Sequence, residues 1–194
     1  MALSPKCQTT SLRPSILFWY GQFLMSLKRR SRALEVFRKV ARESPHHPQV
    51  WSCVAFLLAE REELEPAIEA FEHAIALNPR DAASHFNVAF ILQRLGRHEA
   101  ALARFQRAIE LDARLDRAWY GLGFSLAHLG RLEEAAAKFE EAARLRPTNP
   151  YAGYQLAGVW HRLGRRDKLR AEYERIKGFD QKVAERIRVE FGVR

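Results

Sequence analysis

No stretch of this sequence runs for the roughly 18 apolar residues that a membrane-spanning helix needs. Cysteine is nearly absent. Cys7 and Cys53 lie far apart, with no metal-ligand spacing and no disulfide framework, which fits a reduced, intracellular chain. No glycine-rich phosphate loop follows a strand, because no alternating strand pattern is evident. The histidines are scattered. His46 and His47 sit in a proline-flanked stretch and read as turn residues, and His128 and His161 have no carboxylate or cysteine at ligand spacing. The acidic run Glu60, Glu62, Glu63 and Glu65 falls at an expected turn, whereas paired catalytic carboxylates need a cleft. The sequence therefore predicts no enzyme, no metal site and no cofactor.

Charge is present but uneven. The net charge is +9. Residues 1–47 hold nine Lys and Arg against two Asp and Glu, residues 48–160 hold twelve against fifteen, and residues 161–194 hold eleven against six. The ends are basic and the middle mildly acidic. Basic ends can meet nucleic acid, an anionic membrane surface or an acidic partner, or simply be solvated helix surface. The apolar and aromatic stretch from Ile16 to Leu27 has its positive cluster, Lys28, Arg29 and Arg30, after it. That is the wrong flank for a signal peptide, so the stretch reads as a helix of the fold.

What the sequence does have is a period of 34 residues. Five blocks begin at Pro14, Pro48, Ala82, Asp116 and Pro150, with no insertion between them. The eighth position is small in all five: Gly21, Ala55, Ala89, Gly123, Ala157. The twentieth is Ala33, Ala67, Ala101, Ala135, Leu169, and the twenty-fourth is aromatic throughout: Phe37, Phe71, Phe105, Phe139, Tyr173. In the fourth block Trp119, Leu122, Leu126 and Leu129 recur at helical spacing. Gly130 stops that helix, a second stripe follows through Leu132, Ala135, Phe139, Ala142 and Leu145, and Pro147 ends it. Each block is thus a helical hairpin that cannot bury its own apolar face and must stack on its neighbours. Gly96, Gly130 and Gly164 mark the internal turns, with Lys28 and Glu62 at that place in the first two blocks. The fifth block is irregular, with Gly153 where a large residue is expected.

The motif Trp119-x2-Leu122-Gly123-x2-Leu126, then Ala135-x3-Phe139, then Pro147, resembles the tetratricopeptide repeat (TPR) family, and Trp51, Val54, Ala55, Leu58, Ala67, Phe71 and Pro79 repeat it. The resemblance implies an all-α, right-handed solenoid of five helix-turn-helix repeats. It divides the chain into a loose tail at 1–13, repeats at 14–47, 48–81, 82–115, 116–149 and 150–179, and a capping helix at 180–194 whose apolar edge is Val183, Ile187 and Phe191. It also implies a concave face lined by the first helix of each pair and a protein or peptide ligand.

On that face the family register places an aromatic ladder. A groove of Phe56, Phe86, Phe90, Tyr120, Phe124 and Tyr154 is expected, with Asn87, Arg94 and Arg117 placed to hold a ligand backbone or acidic group. Ordinary packing between helices is the alternative use of these rings. The carboxylate clamp of some co-chaperones is poorly matched, since Ser52, Phe56 and Gly121 stand where its polar residues belong. Phe18, Trp19 and Phe23 add aromatic bulk to the first repeat, where a homodimer or a partner helix could dock. The sequence leaves open an adaptor or scaffold in a bacterial-type cytoplasm, a chaperone-like assembly factor shielding an apolar client segment, and nucleic-acid binding through the basic ends.

Overall fold

The computed structural model describes residues 14–193. Among them are eleven α-helices and no strand. They are α1 (Pro14–Ser26), α2 (Arg30–Glu43), α3 (Pro48–Glu60), α4 (Leu64–Leu77), α5 (Ala82–Arg94), α6 (His98–Leu111), α7 (Asp116–His128), α8 (Leu132–Leu145), α9 (Pro150–Arg162), α10 (Arg166–Lys177) and α11 (Gln181–Phe191). The tail at 1–13 lies outside the described residues. The fold is all-α, built of paired antiparallel helices. It divides into two compact units, the first ending at Pro79 and the second running from Arg80.

Helix starts follow local chemistry. Pro48 and Pro150 occupy the first turn of α3 and α9, where a missing N–H costs nothing. Asp81, Asn149 and Asp180 accept backbone N–H bonds from Ala83, Tyr151 and Val183 and so cap α5, α9 and α11. The hairpin turns close in the left-handed region. Gly130 has φ of +78° there, but Lys28 and Glu62 adopt the same conformation at φ of 57° and 63°, with the Cβ strain a glycine avoids.

In the first unit α1 packs on α2, α2 on α3, and α3 on α4. Phe37 and Phe71 are sealed in its core beside Ala33 and Ala67. In the second unit α5 to α10 pack in succession, and α11 folds back onto both α10 and α9. Phe105 and Phe139 are fully buried there. Gly123 is small for a packing reason: a Cβ added to it would lie 3.0 Å from the Phe139 ring and 3.2 Å from the Ala135 carbonyl. Tryptophan at the fourth position of a block also ties down the loop before it. Trp51 Nε1 donates to the Pro45 carbonyl at 2.8 Å, and Trp119 Nε1 donates to the Ala113 carbonyl at 3.0 Å.

The irregular Gly153 has a physical reason. The space a tryptophan would fill is taken by the buried carboxylate of Glu172 and the guanidinium of Arg175, which pair at 2.5 Å. Arg175 also donates to the Pro147 carbonyl at 3.1 Å. An ion pair thus does in the fifth repeat what a ring does in the fourth.

Candidate functional site

The inner wall of the second unit is made by α5, α7 and α9, which contact one another along their first-helix faces. Helical spacing brings Phe86 and Phe90 one above the other on α5, ring centroids 6.2 Å apart. Tyr120 and Phe124 do the same on α7 at 6.5 Å. Behind them lie the buried rings of the second helices: Phe86 packs against Phe105 at 5.9 Å, and Tyr120 against Phe139 at 5.6 Å. The front rings are therefore held by the core and do not float on it. Phe86 is nearly buried, whereas Phe90 leaves 46% of its surface open.

A cavity of about 320 Å³ opens beside these rings, lined among others by Phe86, Phe90, Gln93, Arg117, Tyr120 and Tyr151. Arg117 lies across its edge with its guanidinium 4.9 Å from the Phe86 ring centroid. Gln93 is fixed by two donated bonds, to the Gly121 carbonyl at 2.9 Å and to Ser125 Oγ at 2.8 Å. Arg146 pairs with Asp116 at 3.5 Å on the far side. Burial pushes the Tyr120 hydroxyl above its ordinary range, against a weak bond from the Gln155 amide at 3.4 Å, so it stays neutral and able to donate. The arrangement offers an apolar floor and a planar cation at the rim. Among the described residues no three His, Cys, Asp or Glu side chains converge as metal ligands.

The expected site residues fall in several places. Phe86, Phe90, Arg117 and Tyr120 meet at the cavity. Phe124 continues the wall, its ring 4.5 Å from His128. The half-buried Asn87 amide has no hydrogen-bond partner among the described residues. Arg94 is exposed at the end of α5 and engaged in interactions of its own. Phe56 belongs to the first unit, where it is an exposed ring on α3. Tyr154 is held by α11: its hydroxyl donates to Glu190 at 2.5 Å, Arg186 lies over its ring at 4.4 Å, and Phe191 packs at 5.8 Å. Burial and the Glu190 carboxylate both raise its hydroxyl pKa. The last helix thus occupies the inner wall of the fifth repeat. Of the first-repeat residues, Phe18 turns inward onto Phe37 (5.8 Å) and His47 (5.3 Å), while Trp19 and Phe23 face out.

Gln93, Tyr151, Arg146 and Asn149 also line the cavity and were not singled out from the sequence. The signal for the first two was the register itself, since they stand at the twelfth and second positions of their blocks. Arg146 and Asn149 come from the loop after α8, for which the register gives no face.

Beside Phe124, His128 stacks on His98 with centroids 4.5 Å apart and planes within 8°. Burial first, then His98 and Arg162, hold the His128 pKa below the ordinary histidine value. A lowered folded pKa means that the unfolded chain binds the proton first. Stability contributed at this position is thus present above the ordinary histidine pKa of about 6.5 and is lost as pH falls below it. NMR titration should show His128 protonating below the ordinary range, and His98→Ala should move it back upward. An unchanged midpoint in that variant would remove His98 as a cause.

A solenoid of helical hairpins with an aromatic inner wall defines a repeat-type recognition scaffold. Three family profiles, each described as tetratricopeptide repeat, match residues 14–47, 70–103 and 91–150. The chain belongs to the tetratricopeptide-repeat family. Among solved structures it is similar to YrrB, described as a TPR protein with an unusual peptide-binding site, at 20% identity and TM-score 0.78 over 89% of this chain and 90% of that one. It is similar to MamA from Desulfovibrio magneticus RS-1 at 19% identity and TM-score 0.76, covering 91% and 96%. It is also similar to PilF from Pseudomonas aeruginosa at 19% identity and TM-score 0.77, covering 93% and 85%. These are likenesses of fold. Among curated proteins none matches this sequence.

Proposed function

We propose that this chain is a protein-interaction module that holds an extended or helical segment of a partner against Phe86, Phe90, Tyr120 and Phe124, and that it serves as an adaptor or scaffold in the cytoplasm. The observation that carries the reading is the half-open Phe90 ring beside an apolar cavity with Arg117 at its rim. Aromatic side chains give large contact area at small entropic cost, and a rim guanidinium suits a carboxylate or a backbone carbonyl. The peptide-binding description of YrrB supports a peptide as the ligand class. Mechanistically this is equilibrium recognition: ring burial supplies affinity, while Arg117, Gln93 and the free Asn87 amide set direction.

A chaperone-like assembly factor is the second reading, favoured by the predominance of phenylalanine over polar groups on the wall. One stable client would support it, and several transient partners would support the adaptor. Nucleic-acid binding is weaker. In the basic C-terminal region four of the eleven cations, Arg175, Lys177, Arg186 and Arg188, are each paired with a glutamate on their own helix and so are less available to phosphates.

The test is photo-crosslinking in the source cell, with benzoylphenylalanine placed at Phe90 and, as a control, at the exposed Phe179. Crosslinks from position 90 to one or a few defined protein segments are expected, with none from 179. Equal crosslinking from both positions, or none from 90, overturns the assignment.

A further inference from the structure

Among the described residues, no helix stacks on the outer face of α1. In α3, α7 and α9 the third, seventh and tenth residues of the block are buried beneath the second helix of the preceding pair. They are Val50, Val54 and Leu57 under α2; Ala118, Leu122 and Ser125 under α6; and Ala152, Leu156 and Val159 under α8. The matching residues of α1 are Ile16, Tyr20 and Phe23, and all three are exposed. Trp19 and Leu27 extend the same face, with Trp19 71% and Phe23 57% open. Ile16, Tyr20, Phe23 and Leu27 are spaced four, three and four residues apart, which is the seam spacing of paired helices. Such a seam is about 16 Å long, or three helical turns.

The rim of this face has a definite charge. Where α2 sits on α3, Arg30 pairs with Glu60 at 3.0 Å and Arg38 with Glu63 at 3.9 Å. One period earlier, Glu60, Glu62 and Glu63 are replaced by Ser26, Lys28 and Arg29. A helix seated on α1 as α2 is seated on α3 therefore meets Arg29 where Arg38 of α2 meets Glu63, with Lys28 beside it, and a neutral Ser26 where Arg30 meets Glu60. Lys28 and Arg29 have no carboxylate partner among the described residues. The α2 pairing also fixes direction, since its first residue meets the end of α3. The acidic residue of the partner that meets Arg29 then falls where Arg38 stands in α2, near the middle of its helix.

We propose that the exposed face of α1 docks an amphipathic helix of another protein, with an apolar stripe of about three turns and carboxylates opposite Lys28 and Arg29. A second copy of this chain is a poorer occupant. It brings a second set of seven Lys and Arg against two Glu over residues 14–47. Its outermost helix, α11, already has Glu185 and Glu190 paired with Arg188 and Arg186. A membrane surface fits less well again. Helices that lie in an interface carry cations along their length, and α1 has no charged residue at all between Pro14 and Ser26.

The probe is a stapled 14-residue peptide with the sequence of α2 in which Arg30, Arg32, Arg38, Lys39 and Arg42 are each replaced by Glu. The control is the unaltered α2 peptide. Fluorescence anisotropy with the full chain is expected to show the acidic peptide binding at least about tenfold more tightly, with affinity falling as salt rises. Trp19→Ser/Phe23→Ser should abolish binding, and Arg29→Glu should shift preference toward the basic control. Phe90→Ala/Phe124→Ala should leave binding unchanged, which separates this face from the inner wall of the second unit. The serine substitutions are at open positions, and circular dichroism checks that the variant stays helical. Equal binding of the two peptides, or none, overturns the proposal. So does a wild-type dimer in sedimentation that Trp19→Ser/Phe23→Ser converts to monomer, which makes the occupant a second copy. Co-sedimentation with phosphatidylserine vesicles in place of peptide binding overturns it in favour of a membrane.

Discussion

Phe105→Ala is expected to destabilise the second unit by about 3–5 kcal/mol, the usual cost of emptying a phenylalanine site in a core. The ring is fully buried and supports Phe86 from behind at 5.9 Å. Its other face lies against α7 at Gly121, where an added Cβ would collide with three ring atoms. Gly121→Ala in the wild-type background should accordingly cost about 1–3 kcal/mol through overpacking. In a Phe105→Leu background the same substitution should cost less, because the smaller side chain can give way. Urea unfolding of the four proteins in this cycle measures the coupling, read from midpoints at unchanged slope. Strict additivity would show that the ring and Gly121 do not share space in solution. The sequence shows Gly121 only as a missing arginine in a ligand clamp. Its structural role, to let a helix backbone approach the Phe105 ring, depends on a residue sixteen positions away on another helix.

The fold class was legible because repetition multiplies weak signals. One phenylalanine at a helical spacing means little. Four phenylalanines and a tyrosine at the same position of a 34-residue register mean a core built the same way each time. The same logic explains what was not legible. Gly153 reads as a defect in the motif because its replacement is an ion pair from α10, chemically unrelated to the tryptophan it stands in for. Tyr154 has the register of an inner-wall residue, but α11 follows the last repeat and no period says where it turns. In the structure it returns across α9, laying Phe191 within 5.8 Å of Tyr154 and 5.5 Å of His161. At the cavity, side chains on first helices could be placed from position alone, whereas Arg146 and Asn149 arrive on a loop. The exposure of α1 was half visible: aromatic bulk on a terminal repeat is plain in the sequence. That Phe18 turns inward while Trp19 and Phe23 stay open needs the helix to be packed against α2.

Phe90→Ala/Phe124→Ala is expected to weaken partner binding about 100- to 1000-fold, since central aromatic contacts cost roughly 2 kcal/mol each when truncated. The two rings stand at the same register position on α5 and α7. Neither ring is part of the sealed core, and alanine is the better helix former, so the fold should survive. Phe90 is almost half exposed, and its removal should scarcely move the melting temperature. Phe124 is half-buried and packs on His128 at 4.5 Å, so its removal should cost about 1–2 kcal/mol of stability. Binding and folding are therefore affected to different degrees, and the two can be measured apart. Affinity capture with the wild type and the variant, with circular dichroism confirming that the variant remains helical, reads the first. Thermal unfolding reads the second. A partner lost by a folded variant places recognition on this wall. A partner held equally by both proteins overturns that placement and leaves the rings as packing alone, because no substantial binding energy can pass through side chains whose removal changes nothing.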